Sequence, residues 1–276
     1  MPGPDPRMSA PSALPVREEV PSASGLLLAP DEPSPAVVMR PDGASPILLV
    51  CDHAGRRVPR RLGDLGLRAE EFDRHIAWDI GIAAVSRRIA AALDATLVEQ
   101  VYSRLVIDCN RPPRVPNSIP ETSEATPIPG NRGLSASDRE ARRREIFEPY
   151  HGAIEAILAA RADRPTILVA MHSFTPVYLG ENRPWQVGTL YGRDGRLARI
   201  LGGLIEAEGR FVVGDNKPYD VTDDTDYTIP VHGERRGLAH TGIEIRQDQI
   251  THEAGQAEWA DLLIRLLPQA AARLPR

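Results

Sequence analysis

The segment Ile47-Leu48-Leu49-Val50-Cys51-Asp52-His53-Ala54-Gly55 decides the fold, because five apolar residues in a row end abruptly in a polar cluster. A short apolar run bounded by turn residues is typical of a strand buried on both faces of a parallel sheet. The same arrangement recurs at 166–171, which is followed by His172, and at 241–245, which carries Glu244. The sequence therefore predicts three buried strands that bring chemically active side chains to one end of a sheet.

Segments of helical periodicity alternate with apolar runs along the rest of the chain. Apolar residues recur at helical spacing in Asp79–Leu93, Ser137–Ala160, Leu197–Glu208 and Ala254–Leu267. Further strands are predicted at Thr96–Tyr102, Leu105–Cys109 and Gly188–Tyr191. Alternation of this kind is typical of an α/β protein. We predict a single domain in which a mixed, mostly parallel sheet is flanked by helices on both faces.

The composition changes near residue 45. Residues 1–45 are rich in Pro and Ser, and such a stretch buries too little apolar surface to offset the entropy lost on ordering. We therefore predict a mobile N-terminal arm over 1–45 and a folded domain over 46–276. An alternative stays open for residues 25–30 and 36–39, whose apolar side chains would allow them to lie on the domain or to add an edge strand.

Composition and charge argue against several kinds of partner. A chain of 276 residues, of which 42% are hydrophobic, can bury a substantial core. A net charge of −5 without a long run of Lys or Arg argues against nucleic acid as a partner, and we expect no membrane association. Two cysteines and the lack of an apolar leader segment are typical of a cytoplasmic protein.

Polar residues that follow the predicted strands indicate a shared crevice. In open α/β sheets the ligand crevice lies beyond the carboxyl ends of the strands. We expect four residues there, His53, Asp108, Asn110 and His172. Asp79 lies in the first turn of the next predicted helix and can face the same crevice. Two imidazoles and a carboxylate can bind zinc and leave a fourth position open for water. A Pro-rich loop over 111–130 is long enough to indicate a functional role.

Amide hydrolysis is the chemistry that such a site favours. Zinc polarises a carbonyl group and lowers the pKa of a bound water toward about 7. One carboxylate can pass a proton from that water to the leaving amine, and we assign this role to Glu244. A planar guanidinium can hold the carboxylate of an N-acyl amino acid through two parallel hydrogen bonds. Candidates for this contact are Arg104, Arg111 and Arg246.

Six motifs in order along the chain resemble those of the N-formylglutamate amidohydrolase family, over about Ile47 to Ile250. The motifs are Asp52-His53-Ala54-Gly55, His75-Ile76-Ala77-Trp78-Asp79-Ile80-Gly81, Ser103-Arg104-Leu105-Val106-Ile107-Asp108-Cys109-Asn110-Arg111, Met171-His172-Ser173-Phe174, Gly214-Asp215-Asn216-Lys217-Pro218-Tyr219 and Glu244-Ile245-Arg246-Gln247-Asp248. That family is similar in turn to zinc carboxypeptidases and zinc-dependent amidases. The resemblance therefore implies a zinc-peptidase-like catalytic domain over 46–276.

The resemblance also implies a role for each candidate residue. The ligands of one zinc ion, or of another divalent metal, would be His53, Asp79 and His172. The residues that bind substrate carboxylates would be Arg104, Asn110, Arg111 and Arg246. Glu244 would be the general base, and His240 is a further catalytic candidate. The implied reaction converts N-formyl-L-glutamate to formate and L-glutamate, a step of histidine degradation.

Several alternatives stay open on the sequence alone. Each histidine would also suit a core or capping role, Asp79 a helix-capping role, and Glu244 a buried ion pair with an arginine. Another zinc amidase or peptidase, acting on a related acidic N-acyl substrate, would need the same metal site. A noncatalytic protein that binds small anions in the crevice is the alternative from a different class. Uptake of zinc by the purified protein distinguishes this binder from a metal-dependent enzyme.

Overall fold

An α/β architecture is present in the computed structural model of the protein, which describes residues 26–275. Its strands are β1 Ala36–Met39, β2 Ile47–Cys51, β3 Thr96–Gln100, β4 Thr122–Ser123, β5 Thr126–Pro127, β6 Ile167–Phe174, β7 Val177–Tyr178, β8 Glu181–Asn182, β9 Val187–Leu190, β10 Val213–Asp215 and β11 Ala239–Arg246. Its α-helices are α1 Ile82–Leu93, α2 Ala136–Arg142, α3 Glu148–Ala160, α4 Arg196–Glu206 and α5 Glu253–Ala272. Strands and helices therefore alternate as the sequence predicts.

One seven-stranded sheet forms the centre of the domain, in the order β1-β3-β2-β6-β11-β9-β10. β2 runs parallel to both β3 and β6, β6 runs parallel to β11, and β9 runs parallel to β10. β1 and β9 are antiparallel to β3 and β11, respectively. Two short hairpins, β4–β5 and β7–β8, lie outside this sheet. The prediction of a mixed, mostly parallel sheet is confirmed.

Helices cover both faces of the sheet, as predicted. Along β2, Ile47 and Leu49 pack in one cluster with residues of α1, α4 and α5, whereas Leu48 and Val50 pack in a second cluster with residues of α3. All five residues of β2 are buried, which explains their continuous apolar character. Within residues 26–275, none of the helices combines the length and the apolar character that crossing a bilayer requires.

The prediction of a strand at Leu105–Cys109 is wrong. Residues 104–106 form a turn, in which the Val106 N–H donates to the Ser103 carbonyl oxygen at 2.9 Å. The Leu105 N–H also donates to the Ser103 hydroxyl oxygen at 3.2 Å. The apolar side chains of this segment are buried in the cluster on the α3 face of the sheet. Burial beneath the loops therefore explains the apolar run, and strand pairing does not.

Helix α1 begins at Ile82 rather than at Asp79. Gly81 precedes it with φ of +81°, and a side chain at this position would collide with the carbonyl oxygen of Ile250. A glycine is therefore needed to make the sharp entry into the helix. Asp79 lies in the turn before it, where its backbone N–H donates to the His53 carbonyl oxygen at 3.0 Å. This bond holds the two residues side by side.

The first described residues pack against the domain. β1 adds an antiparallel edge strand to β3, and the Leu27 side chain is buried in the core. The Tyr102 hydroxyl donates to the Pro33 carbonyl oxygen at 2.9 Å. The mobile arm predicted over 1–45 is therefore too long at its C-terminal end, because strand pairing and core burial anchor residues 26–45. Residues 1–25 of that arm lie outside the described residues.

Two buried histidines, His151 of α3 and His232 of the segment 229–233, contact each other. His151 Nε2 lies 2.8 Å from the Cys109 carbonyl oxygen, so this nitrogen carries a proton and donates it. His151 Nδ1 then accepts a hydrogen bond from His232 Nε2 at 2.9 Å. This arrangement requires His151 to be neutral, since its Nδ1 accepts, whereas for His232 it is burial that favours the neutral ring. Burial lowers the pKa of His151 to about 4 and the pKa of His232 to about 3.

We expect this histidine pair to destabilise the protein as the pH falls below about 6.5. The unfolded chain takes up protons on both rings near that pH, whereas the folded protein does so only near the lowered pKa values. Each ring therefore removes about 1.4 kcal/mol of unfolding free energy per pH unit within this window. Urea unfolding of wild type and His232→Phe between about pH 4.5 and 7 measures the effect, and the variant should show the shallower pH dependence.

The comparison between the two proteins is needed because other groups titrate in the same window. The pKa of Glu244 is raised by burial to about 7, so this residue changes stability in the opposite direction below that pH. Its contribution is common to both proteins and cancels in the difference. Identical pH slopes for wild type and His232→Phe would contradict the prediction.

Candidate active site

The carboxyl ends of β2, β6 and β11 meet at a cavity of about 520 Å³. His53 follows the last residue of β2 by two positions, His172 lies in β6 and Glu244 lies in β11. Glu244 is paired with His172 in the parallel register, so both side chains leave the sheet on the same face. This face is the one covered by α3. The structure therefore brings together three residues that are far apart in the sequence.

The side chains of His53, Asp79 and His172 form a compact, buried donor set. Asp79 Oδ2 lies 2.9 Å from His172 Nδ1 and 3.4 Å from His53 Nδ1, and one ligand atom from each residue lies within 4.8 Å of the others. Tetrahedral zinc with bonds of about 2.0–2.1 Å holds its ligand atoms about 3.3 Å apart. Two imidazoles and one carboxylate at this spacing therefore fit a divalent metal such as zinc.

A buried carboxylate faces the second nitrogen of each histidine. Asp108 Oδ1 lies 2.7 Å from His53 Nε2, and Asp52 Oδ2 lies 3.1 Å from His172 Nε2. If a cation bound the Nδ1 atoms, each imidazole would keep its proton on Nε2 and donate it to Asp108 or Asp52, because a carboxylate accepts hydrogen bonds. Histidine ligands of metals are usually oriented by such carboxylates. The arrangement prepares both rings to bind a cation.

Asp52 is itself held in place by two hydroxyl groups. Its Oδ1 accepts hydrogen bonds from the Tyr150 hydroxyl at 2.8 Å and from the Thr228 hydroxyl at 2.7 Å. Burial alone would raise the pKa of Asp52, but the hydrogen bond and the charge of His172 lower it to about 2. Asp52 is therefore ionised at neutral pH and can orient His172 through a charge-assisted hydrogen bond.

We expect Asp52→Asn to weaken zinc binding by about 10–100-fold. The asparagine oxygen would still accept from Tyr150 and Thr228, which turns its NH2 group toward the protonated Nε2 of His172. Competition for zinc with a chromophoric chelator would measure the affinity. Asp224→Asn, at an exposed position, is the matched control and should bind zinc like wild type. Unchanged affinity in Asp52→Asn would contradict the proposed orienting role.

Glu244 is a buried carboxylate that faces the same cavity. Its Oε2 atom has no hydrogen-bond partner among residues 26–275. An unpaired buried polar atom costs free energy of folding unless a ligand or water supplies the missing hydrogen bond. Burial and the nearby charge of Asp79 raise its pKa to about 7, against the opposing influence of His172. A base with this pKa can both accept and return a proton at neutral pH.

Arg104 contacts Asp79 of the donor set and Asp108, which faces His53. Its Nε and Nη2 atoms donate to Asp108 Oδ2 at 3.1 and 2.7 Å, and its Nη1 lies 3.4 Å from Asp79 Oδ1. Arg104 therefore forms an ion pair with Asp108. The side chain is nevertheless 27% exposed and lines the cavity, so a bound anion can still reach it.

Arg111 and Asn110 also line the cavity but differ in their free hydrogen-bonding capacity. Arg111 donates through Nη1 to the Thr225 carbonyl oxygen and stays 29% exposed. Asn110 donates to Asp226 Oδ1 at 3.1 Å, while its own oxygen accepts from two backbone N–H groups at 3.1 and 3.2 Å. Asn110 therefore holds the 226–228 segment, and Arg111 is the better placed of the two to bind an anion.

The structure does not bring Arg246 or His240 into this cavity. Arg246 donates to Asp248 at 2.7 and 3.1 Å and to the Arg183 carbonyl oxygen at 3.1 Å, so its guanidinium holds neighbouring loops. His240 lies four residues before Glu244 on β11, roughly 13 Å away along the strand. Its Nδ1 donates to the Leu238 carbonyl oxygen at 2.8 Å. Their predicted substrate-binding and catalytic roles are corrected to structural ones.

Sequence reasoning missed three residues that support the site. Asp52, Tyr150 and Thr228 form the hydrogen-bonded group behind His172. The sequence does contain a signal for Asp52. A carboxylate that follows a buried strand and precedes a candidate ligand needs a buried partner, which predicts a supporting role. Tyr150 and Thr228 carried no signal, because only the tertiary structure brings them to Asp52. The predicted functional loop contributes one wall of the cavity through Arg111, Asn117, Pro120, Thr122, Ser123 and Glu124.

Comparisons with known proteins agree with this geometry. Residues 45–251 match the model of a protein family described as N-formylglutamate amidohydrolase. The crystal structure of a gene product from Agrobacterium tumefaciens is 38% identical, with a TM-score of 0.86 over 89% of this chain and 98% of that one. An N-formylglutamate amidohydrolase from Ralstonia eutropha JMP134 is 20% identical and shares the fold, with a TM-score of 0.62 over 87% and 98% of the two chains. No curated protein matched the sequence.

Proposed function

The chain belongs to the N-formylglutamate amidohydrolase family, and we propose that it is a zinc-dependent enzyme that hydrolyses N-formyl-L-glutamate to formate and L-glutamate. The proposal covers three specific points beyond family membership: the metal, the substrate and the residues that act. The cytoplasmic location and the role in histidine degradation stay predictions.

The observation that carries the proposal is the position of Glu244 relative to the buried donor set. His53, Asp79 and His172 direct ligand atoms to one point, and Glu244 is paired in register with His172 on the neighbouring strand. Its Oε2 atom lacks a hydrogen-bond partner among the described residues. A carboxylate left unpaired beside three metal-type ligands suits a base that acts on water.

The reaction divides between a bound ion and the side chains of the chain. Zinc at this site would polarise the acyl carbonyl and make water more acidic. Glu244 accepts the proton of the attacking water and returns it to the leaving nitrogen, because its carboxylate lines the cavity and its Oε2 atom is unpaired among the described residues. Asp52 and Asp108 keep the two imidazoles in the required orientation.

Arg104 and Arg111 are the proposed contacts for a substrate carboxylate. Both guanidinium groups flank Asp108 and line the cavity, at 2.7 and 4.0 Å from its Oδ2 atom. An arginine can bind a carboxylate through two parallel hydrogen bonds, which fixes the orientation of the substrate. Placing the amino acid carboxylate here would hold the scissile amide near Glu244.

Turnover by the purified, zinc-loaded protein tests the proposed function. Release of the free amino acid would be measured with N-formyl-L-glutamate and, for comparison, with N-acetyl-L-glutamate, N-formyl-L-aspartate and N-formyl-L-leucine, and formate would be measured in addition for the three N-formyl compounds. We expect N-formyl-L-glutamate to have the highest kcat/KM and to yield equal amounts of formate and glutamate. A higher kcat/KM for another N-acyl compound would show that N-formyl-L-glutamate is not the preferred substrate. A protein that neither hydrolyses any of these compounds nor binds zinc would contradict the proposal that it is an enzyme.

A further inference from the structure

Two segments each contribute a tyrosine to the cavity that Glu244 lines, the loop 214–219 and the β7–β8 hairpin. The loop lies directly on the sheet, since a side chain at Gly188 of β9 would collide with the Lys217 carbonyl oxygen. Tyr219 at the end of this loop and Tyr178 of the hairpin both line the cavity. The close seating on β9 fixes the position from which Tyr219 projects.

Arg183 joins the two segments. Its guanidinium carbon lies 4.7 Å from the ring centroid of Tyr178 and 4.8 Å from that of Tyr219, which places it between two aromatic rings. Its Nη1 donates to the Tyr219 hydroxyl oxygen at 2.9 Å. The backbone of Arg183 is held in turn by Arg246, which donates to its carbonyl oxygen at 3.1 Å. This chain of contacts fixes the Tyr219 ring and its hydroxyl group.

The Tyr219 hydroxyl is left with a proton that it can donate into the cavity. Its oxygen already accepts from Arg183, and no acceptor for its proton is present among residues 26–275. Tyr219 is 41% exposed, so a ligand in the cavity can reach it. Partial desolvation by the surrounding residues and the charge of Glu244 raise the pKa of Tyr219, so the hydroxyl is protonated at neutral pH. The group is therefore a neutral donor with a fixed direction.

We propose that Tyr219 is a further catalytic residue that donates a hydrogen bond to the acyl oxygen of the substrate, and that Arg183 is its positioning residue. This inference rests on the proposed function. Negative charge develops on the acyl oxygen when water adds to an amide, and a fixed donor is worth most at such an atom. Tyr219 shares the cavity with Glu244, which acts on the water, and with Arg104, which suits the substrate carboxylate.

The kinetic constants of Tyr219→Phe test the inference, because this substitution removes only the hydroxyl group. We expect kcat for the best N-acyl substrate to fall by roughly 10–100-fold, with KM changed less than about threefold. Arg183→Lys, which keeps the charge but loses the planar stacked donor, should show a smaller loss of kcat. Tyr191→Phe is the matched control, because Tyr191 accepts from Arg199 Nη2 at 3.1 Å in a second Arg–Tyr pair that is not part of the cavity lining. Its kcat and KM should be like those of wild type. Zinc content should be equal in all four proteins.

The outcomes separate this inference from the proposed function. Wild-type protein that hydrolyses no N-acyl amino acid would remove the proposed function and the inference with it. An active wild type with an unchanged kcat in Tyr219→Phe would overturn the inference alone. Equal losses in Tyr219→Phe and Tyr191→Phe would also overturn it, since they would indicate a general effect of removing a tyrosine hydroxyl that binds an arginine.

Discussion

Glu244→Gln should retain zinc and lose catalysis, with a fall in kcat of about 10²–10⁴-fold. Glutamine has nearly the same size and shape, so the packing of β11 against β6 should be preserved. It cannot take a proton from water, because its amide group is not basic at neutral pH. The donor set of His53, Asp79 and His172 is unchanged by this substitution. Zinc content by atomic absorption and kcat for N-formyl-L-glutamate would be measured on the same preparation.

Two further proteins make this result interpretable. Glu181→Gln, at an exposed position in the β7–β8 hairpin, is the matched control and should keep the activity of wild type. Asp52→Asn should lose activity through weaker zinc binding, so that excess zinc restores it in part. Glu244→Gln should not respond to excess zinc. Activity of Glu244→Gln equal to that of wild type would rule out the proposed base.

His172→Ala should lose both metal and turnover. The substitution removes one of three ligand side chains and also leaves the buried Asp52 carboxylate without its imidazole partner. We expect zinc affinity to fall by more than about 100-fold, which is the largest loss expected for Asp52→Asn, where only an orienting carboxylate is removed. A ligand that binds only the folded state of a protein raises the melting temperature of that protein. Zinc should therefore raise the Tm of wild type and leave the Tm of His172→Ala nearly unchanged.

An exposed histidine provides the control for this measurement. His252→Ala changes a side chain that precedes α5, so zinc should stabilise it as it does wild type. The distinction between the two variants also addresses the core-histidine alternative. If His172 had only a packing role, His172→Ala would lower the Tm and still respond to zinc with an unchanged dissociation constant.

The central strands could be predicted because their burial imposes a simple pattern. The run Ile47–Cys51 is predicted and observed with the same bounds, since a strand covered by helices on both faces must be apolar throughout. The convergence of His53, His172 and Glu244 follows from a rule of topology, because carboxyl ends of neighbouring parallel strands lie at one edge. Predicting these features requires only the local composition of each segment and the order of the strands in the sheet.

The predictions that were wrong failed for a different reason. The apolar run 105–109 is buried beneath loops, and composition alone does not separate such a segment from a strand. Arg246 has the right charge for substrate binding, but its partners Asp248 and the Arg183 carbonyl oxygen depend on how two loops fold. His240 shares a face of β11 with Glu244 and differs only in depth along the strand. Each failure concerns which group a side chain meets in three dimensions.

The contacts of Asp52 have a consequence for the order of assembly during folding. Its three side-chain partners, Tyr150, His172 and Thr228, lie 98, 120 and 176 residues further along the chain. Contacts at such separations close late, because long loops must be ordered first. A nascent polypeptide that has not yet emerged past Thr228 should therefore lack a competent centre, and zinc capture should mark the completion of the native state.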